Sequence, residues 1–121
     1  IDVLHSIGKC DVGQAVVLQN GRVLAVEAAE GTSAMLARSA NLIDNQAGSA
    51  VFVKMQKSGQ DHRLDTPFIG LETLQAVVNA GIQVVAIEHG KVLLADDVQV
   101  MSNFCLKHHL TFVGIAPTEC L

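Results

Sequence analysis

Aromatic side chains are scarce in this chain of 121 residues, which contains four Phe and no Trp or Tyr. Proteins that bind single-stranded nucleic acid stack the bases on aromatic rings, and this composition offers no such surface. Positive charge is also limited, with eight Lys and Arg against twelve Asp and Glu and a formal net charge of -4. Because sequence-independent nucleic-acid binding needs an excess of positive charge, we expect no nucleic-acid partner.

Cysteines are too few and too far apart for a disulfide framework or a thiolate zinc site. The three cysteines are at positions 10, 105 and 120, and no two of them form a CxxC pair. No apolar run approaches the roughly 20 residues that cross a bilayer, and no charged start followed by an apolar block marks a secretory signal. These absences favour a protein of the reducing cytoplasm.

Aliphatic residues, by contrast, are abundant, and hydrophobic residues make up 50% of the chain. A chain of this length buries about two thirds of the surface that its unfolded form exposes, which is enough for one domain over residues 1–121. No linker or internal repeat divides it. Because the chain begins at Ile1 and a helix-like segment follows at once, we expect a piece of a longer protein.

Two pairs of apolar runs, each interrupted by a turn-forming dipeptide, predict two β-hairpins. The first pair flanks Asn20 and Gly21, which favour the positive φ values of a tight type I′ turn. The second pair flanks His89 and Gly90 in the same manner. The predicted strands are residues 14–19 and 22–27 in the first hairpin, and residues 83–88 and 91–95 in the second.

Three helices and two further strands are predicted from the spacing of the other apolar residues. Thr32 is placed to cap the first of these helices, and Asp96 or Asp97 the last. Strands that alternate with helices, together with two hairpins, predict an α/β fold with a mixed sheet, covering helices and a single compact domain. The helices are expected from residue 33 to between 41 and 48, over 71–78 and over 98–108, and the strands over 49–55 and 111–115.

Residues 54–67 interrupt the apolar pattern with a dense mixture of charges. Two carboxylates can hold a divalent cation or orient water, and three cations can neutralise charge that develops on phosphorus. This combination suits the hydrolysis of a phosphate ester or anhydride, although spacing alone favours a solvated loop with local salt bridges. The charged residues concerned are Lys54, Lys57, Asp61, Arg63 and Asp65, and Gln60 directly precedes Asp61.

A second candidate group lies just before the first predicted helix after the hairpin. Glu30 can join a metal site or accept hydrogen bonds from sugar hydroxyls, and Gly31 lets a ligand approach the backbone N–H groups of a helix start. From spacing alone, a strand-to-helix connection capped by Thr32 is the simpler interpretation. Gln14, in a turn that follows Asp11, is a weaker candidate for a ligand contact.

A series of ordered motifs covers almost the whole chain. They are Asp11 to Val17, Val26 to Ala28, Glu30 to Thr32 with Met35 and Leu36, Lys54 to Gly70, Thr73, Ala80 with Gly81, and Phe112 to Gly114. In this order they resemble the C-terminal domain of the UDP-2,3-diacylglucosamine pyrophosphatases of the LpxI type, once grouped as a domain of unknown function. The chain departs from that pattern at Ser33, where the family usually has Asp, and at Ser58, where Pro often follows Lys57.

This resemblance implies a cytoplasmic, magnesium-dependent enzyme of lipid A biosynthesis that is peripheral to the inner membrane and touches its surface transiently. Such an enzyme hydrolyses UDP-2,3-diacylglucosamine to UMP and 2,3-diacylglucosamine 1-phosphate, with water attacking the α-phosphorus. The family also has an N-terminal domain, absent from this chain, and its active site lies between the two domains. A homodimer is compatible with this description.

The resemblance also assigns roles to the candidate residues. On this basis we expect Asp61 and Asp65 to be the catalytic residues that hold Mg²⁺ or orient the attacking water, without a division of the two roles between them. A non-catalytic module for ligand binding or dimerisation, and a metal-dependent phosphohydrolase for another nucleotide-linked substrate, are the two alternatives. The implied substrate contacts are Gln14, Glu30, Gly31, Thr32, Lys54, Lys57, Gln60 and Arg63.

Overall fold

The computed structural model describes residues 1–9, 13–56 and 66–116, which build a mixed sheet covered by helices. This arrangement confirms the predicted α/β fold in a single domain. The helices are α1 (Asp2–Lys9), α2 (Thr32–Ser39), α3 (Leu71–Ala80) and α4 (Val98–Lys107). The strands are β1 (Ala15–Gln19), β2 (Arg22–Val26), β3 (Ala50–Lys54), β4 (Phe68–Ile69), β5 (Val84–Glu88), β6 (Leu93–Leu94) and β7 (Thr111–Ile115).

The main sheet has five strands in the order β2-β1-β3-β5-β7. Strand β1 is antiparallel to both β2 and β3, while β3, β5 and β7 are parallel to one another. It follows that β2, β3, β5 and β7 all run in the same direction. Their carboxyl ends therefore meet at one edge of the sheet, where β1 begins, and this edge is called the carboxyl edge below.

The first predicted hairpin is confirmed. Strands β1 and β2 pair antiparallel around Asn20 and Gly21, whose φ values are 54° and 76°. Both residues of the turn thus have the positive φ that a type I′ turn requires, and Asn and Gly tolerate that conformation best. The local sequence chemistry is sufficient to specify this connection.

The second predicted hairpin is wrong. Strand β5 lies between β3 and β7, and both of its edges are occupied by parallel neighbours. The run that follows His89 and Gly90 therefore has no edge of β5 to pair with. Instead, its short strand β6 pairs in parallel with β4, a strand that the sequence patterns did not predict.

Apolar side chains fill both faces of the sheet. In β3, Phe52 packs in the core beneath α2, α3 and α4, whereas Val53 packs on the opposite face with Leu4 of α1. Successive side chains of a strand point to opposite faces, so β3 is buried on both sides. Among the residues described, no helix is both long and apolar enough to cross a membrane.

The two predicted helix caps have different outcomes. The Asp97 side chain accepts hydrogen bonds from the backbone N–H groups of Gln99 and Val100, so its role as the cap of α4 is confirmed. The prediction for Thr32 is wrong because the cap position of α2 is Gly31 and makes no side-chain cap hydrogen bond. Thr32 is instead the first residue of the helix, and its hydroxyl is used elsewhere.

Candidate functional site

Strand direction brings polar side chains from four segments to the carboxyl edge. Lys54 ends β3 and is paired with Ala15, the first residue of β1, while Glu88 ends β5. Glu27 directly follows β2, and Gln14 directly precedes β1. In sheets with parallel strands, ligands bind in the crevice beyond the carboxyl ends, which makes this edge the candidate site.

Glu27 is the centre of a buried hydrogen-bond network. Its side chain is 9% exposed; Oε1 accepts a hydrogen bond from the Gln14 backbone N–H at 3.1 Å, and Oε2 accepts one from the Thr32 hydroxyl. A buried carboxylate is tolerated only when such donors compensate for its lost hydration. Glu27 thus joins the start of β1 and the end of β2 to the first residue of α2.

Gly13 allows the two strands to approach each other closely at this network. A Cβ atom at position 13 would lie 2.2 Å from the backbone carbonyl oxygen of Glu27. Any side chain would therefore collide with rigid backbone rather than with a movable side-chain end. Close packing at Gly13 thus brings the segment before β1 directly against the backbone of Glu27.

Lys54 is a second buried charge at the same edge. It is 9% exposed, lies on the face of the sheet that carries Phe52, and its Nζ donates a hydrogen bond to the Phe68 carbonyl oxygen at 2.8 Å. Burial lowers the pKa of Lys54, and the negative charge of Glu27 opposes that shift. The ammonium group thus tethers β4 to the end of β3.

Two further hydrogen bonds hold the chain as it leaves β3. The backbone N–H of Met55 donates to the Gln14 carbonyl oxygen at 2.9 Å, and the backbone N–H of Gln56 donates to Glu88 Oε1 at 3.0 Å. Together with the contact between Lys54 and Phe68, they fix the residues on both sides of positions 57–65. Asp61 and Asp65, as well as Lys57, Gln60 and Arg63, lie within that stretch and outside the described residues.

The structure separates the two carboxylates of the Glu27 to Thr32 segment. Glu30, the one selected from the sequence, forms an exposed ion pair with Arg38 at 2.5 Å. This hydrogen bond raises the pKa of the Arg38 guanidinium. Glu27, which the prediction did not select, occupies the buried position together with Thr32.

Of the other predicted contacts, Gln14, Thr32 and Lys54 all reach the carboxyl edge. Gly31 occupies the N-cap position of α2 with a φ of 86°. Gln14 Oε1 is buried and has no hydrogen-bond partner within the described part of the chain. Sequence reasoning also missed Glu88. Glu27 and Glu88 each stand at the end of an apolar run in the sequence. This position was the signal that could have identified both of them as candidate site residues.

The described ranges do not by themselves form a magnesium site. Within them, no group of three or more His, Cys, Asp or Glu side chains is placed to hold a metal ion. Glu27 already accepts hydrogen bonds from Gln14 and Thr32 through its two oxygens. The residues expected to hold Mg²⁺, Asp61 and Asp65, lie outside the described ranges.

Comparison with known proteins agrees with the motifs of this edge. Residues 1–113 match the family model of the LpxI C-terminal domain. Over 101 residues the chain is 42% identical to the UDP-2,3-diacylglucosamine pyrophosphatase LpxI of Caulobacter vibrioides, an alignment that covers 79% of this chain and 36% of that relative. The chain thus spans little more than a third of the relative's length. It belongs to the LpxI family, and it matches the C-terminal domain of that family.

Proposed function

We propose that this chain contributes one side of an active site that hydrolyses the pyrophosphate of UDP-2,3-diacylglucosamine. The observation that carries the proposal is the buried pair of charges at the carboxyl edge, Glu27 with its donors and Lys54 with Phe68. Buried charge is costly to maintain, and it is found most often where a site is organised. The name of the Caulobacter relative supplies the substrate.

In this proposal the described residues position those of the 57–65 stretch. Lys54 and Glu88 hold the chain on either side of it, through Phe68 and Gln56. The polar residues of the stretch are proposed to act at this edge, because parallel strands bind ligands beyond their carboxyl ends. Asp61 and Asp65 are assigned to Mg²⁺ and to the attacking water, and Lys57, Gln60 and Arg63 to the pyrophosphate oxygens.

The proposed reaction is the attack of water on the α-phosphorus. The bond from that phosphorus to the bridging oxygen breaks, and the bridging oxygen leaves on the β-phosphate as part of 2,3-diacylglucosamine 1-phosphate. The oxygen of the water stays in UMP. Bound Mg²⁺ would neutralise charge on the phosphate oxygens, and Lys54 adds a fixed positive charge at the base of the site.

The rest of the active site is assigned to the part of the Caulobacter relative that the alignment with this chain does not cover. The alignment includes 36% of the Caulobacter protein, so an N-terminal domain is part of the proposal. Contact with the cytoplasmic surface of the inner membrane is also proposed, because a diacylated sugar nucleotide carries its acyl chains in the lipid phase. Ser33, which is exposed in the first turn of α2, stands at the position where the family usually has Asp.

The experiment that tests the proposal is UMP release by the intact protein, with and without Mg²⁺. We expect Asp61→Asn and Asp65→Asn each to reduce kcat by about a hundredfold or more, as for the loss of a positioned catalytic group. Asp2→Asn is the matched control, since Asp2 is exposed in α1. Near-normal turnover by both site variants would refute the assignment. Equal turnover of an unacylated UDP-sugar would favour a phosphohydrolase with a different substrate.

A further inference from the structure

An apolar groove runs between α4 and the edge strand β7, away from the charged network. Its volume is about 300 Å³, and seven of its eight lining residues are apolar, the exception being Ser102. The lining includes Leu94, Val98, Met101, Leu106, Leu110 and Phe112. No charged side chain belongs to the lining, so the groove suits a hydrocarbon ligand better than a nucleotide or a phosphate.

The groove has a buried floor and exposed walls. Met101 and Leu110 are 4% and 7% exposed, whereas Val98 and Leu106 are 65% and 74% exposed. Large aliphatic side chains that remain this exposed around one groove form an apolar surface that typically serves binding.

The orientation of α4 connects the groove with the candidate site. This helix joins β5 to the parallel strand β7, so it begins at the carboxyl edge and runs back along the sheet. Val98, in the first turn of α4, therefore lies at the end of the groove nearest this edge. Lys54 ends β3 at the same edge, two strands away from β7, which corresponds to about 10 Å across the sheet.

The small parallel ribbon of β4 and β6 also bridges the two features. Leu94 of β6 lines the groove and is paired with Ile69 of β4. The preceding residue of β4, Phe68, accepts the hydrogen bond from Lys54. One hydrogen-bonded unit thus connects the buried ammonium with the mouth of the groove.

We propose that this groove binds one acyl chain of the substrate while the pyrophosphate lies at the Lys54 end of the carboxyl edge. The inference rests on the proposed function, which supplies a ligand that has a polyanionic part and hydrocarbon chains in one molecule. The volume is at the lower limit of the roughly 300–1,000 Å³ of small-molecule sites, so it accommodates a single chain rather than the whole substrate. The second acyl chain of the substrate would bind to another surface.

The test uses two groove variants of the intact protein and one matched control. Ser102→Trp fills the groove from an exposed position, and Leu106→Gln makes one wall polar. Val100→Gln is the control, because Val100 is also an exposed aliphatic residue of α4, at 48%, but does not line the groove. Direct binding is measured by titration with dansyl-labelled undecanoate, and KM is compared for substrates with long and with short acyl chains.

We expect both groove variants to weaken binding of the labelled fatty acid by about tenfold or more, since each buried methylene that loses contact costs severalfold in affinity. They should also lose the preference for the long-chain substrate, while Val100→Gln retains it. Failure of the unmodified protein to bind the probe, or equal binding by Ser102→Trp, would overturn the inference. If Leu106→Gln changes the oligomeric state but binds the labelled fatty acid as well as the unmodified protein does, the groove is a contact surface for a second copy of the chain, and the inference is overturned as well.

The failure of the proposed function would look different. If the unmodified protein binds labelled undecanoate in a manner that Ser102→Trp abolishes, yet releases no UMP from the diacylated sugar nucleotide, the groove for an acyl chain is supported and the hydrolytic activity is refuted. If UMP is released without any difference between long and short acyl chains, the activity is supported and the groove inference is refuted.

Discussion

The buried carboxylate of Glu27 gives the sharpest test of the proposed organisation. Glu27→Gln keeps the size of the side chain but removes its negative charge and replaces one accepting oxygen by an NH₂ donor. That donor must face either the Gln14 N–H or the Thr32 hydroxyl, both of which donate to Glu27. The hydroxyl can rotate and accept instead, whereas the backbone N–H cannot, so we expect the NH₂ group to turn towards Thr32.

The expected loss follows from the two hydrogen bonds. Each bond to a charged group contributes about 1.5–3 kcal/mol, and its neutral replacement about 1 kcal/mol. Weakening both bonds therefore lowers the free energy of unfolding by about 1–4 kcal/mol. With a typical unfolding entropy for 121 residues, each kcal/mol corresponds to about 4 °C, so Tm should fall by about 4–16 °C.

The assay is thermal denaturation followed by far-ultraviolet circular dichroism, with Glu30→Gln as the matched control. Glu30 is three residues away and carries the same charge, but its ion pair with Arg38 is exposed to solvent. Exposed ion pairs contribute little to stability, so this variant should melt close to the unmodified chain. If the two variants melt within about 2 °C of each other, the argument that Glu27 organises the edge is refuted.

Two further predictions concern the residues around Glu27. Burial lowers the pKa of Lys54 below its ordinary value of 10.5. Between the lowered pKa of the folded chain and 10.5, the unfolded chain binds more protons, so the free energy of unfolding should rise with pH. Lys54→Met should abolish this rise in denaturation curves measured at several pH values, and a variant with the same pH dependence as the unmodified chain would contradict the shift. Gly13→Ala would place a Cβ atom 2.2 Å from the Glu27 carbonyl oxygen and should cost about 3 kcal/mol or more. Gly114→Ala is its control, because the nearest atom there is at 3.5 Å; similar urea midpoints for the two variants would show that the approach at Gly13 is not tight.

Features that depend on a few neighbouring residues were predictable from the sequence. Asn20 and Gly21 specify the first hairpin because their own backbone preferences match a type I′ turn, and Asp97 caps α4 because its side chain reaches N–H groups only two and three residues ahead. The family motifs also led to the correct family, and three of the predicted site residues, Gln14, Thr32 and Lys54, lie at one edge of the sheet.

What the sequence by itself determined is therefore the α/β class, the local turns and caps, and the family. The tertiary structure alone decided which strands are neighbours: β5 is enclosed by β3 and β7, so the run after it pairs with β4. The tertiary structure also decided that Glu27 is buried while Glu30 faces solvent, because Glu27 is covered by Gly13 and Gln14, which lie next to it in space but more than ten residues away in the chain. Such contacts join residues that are far apart in the chain, and neither periodicity nor spacing along the sequence records them.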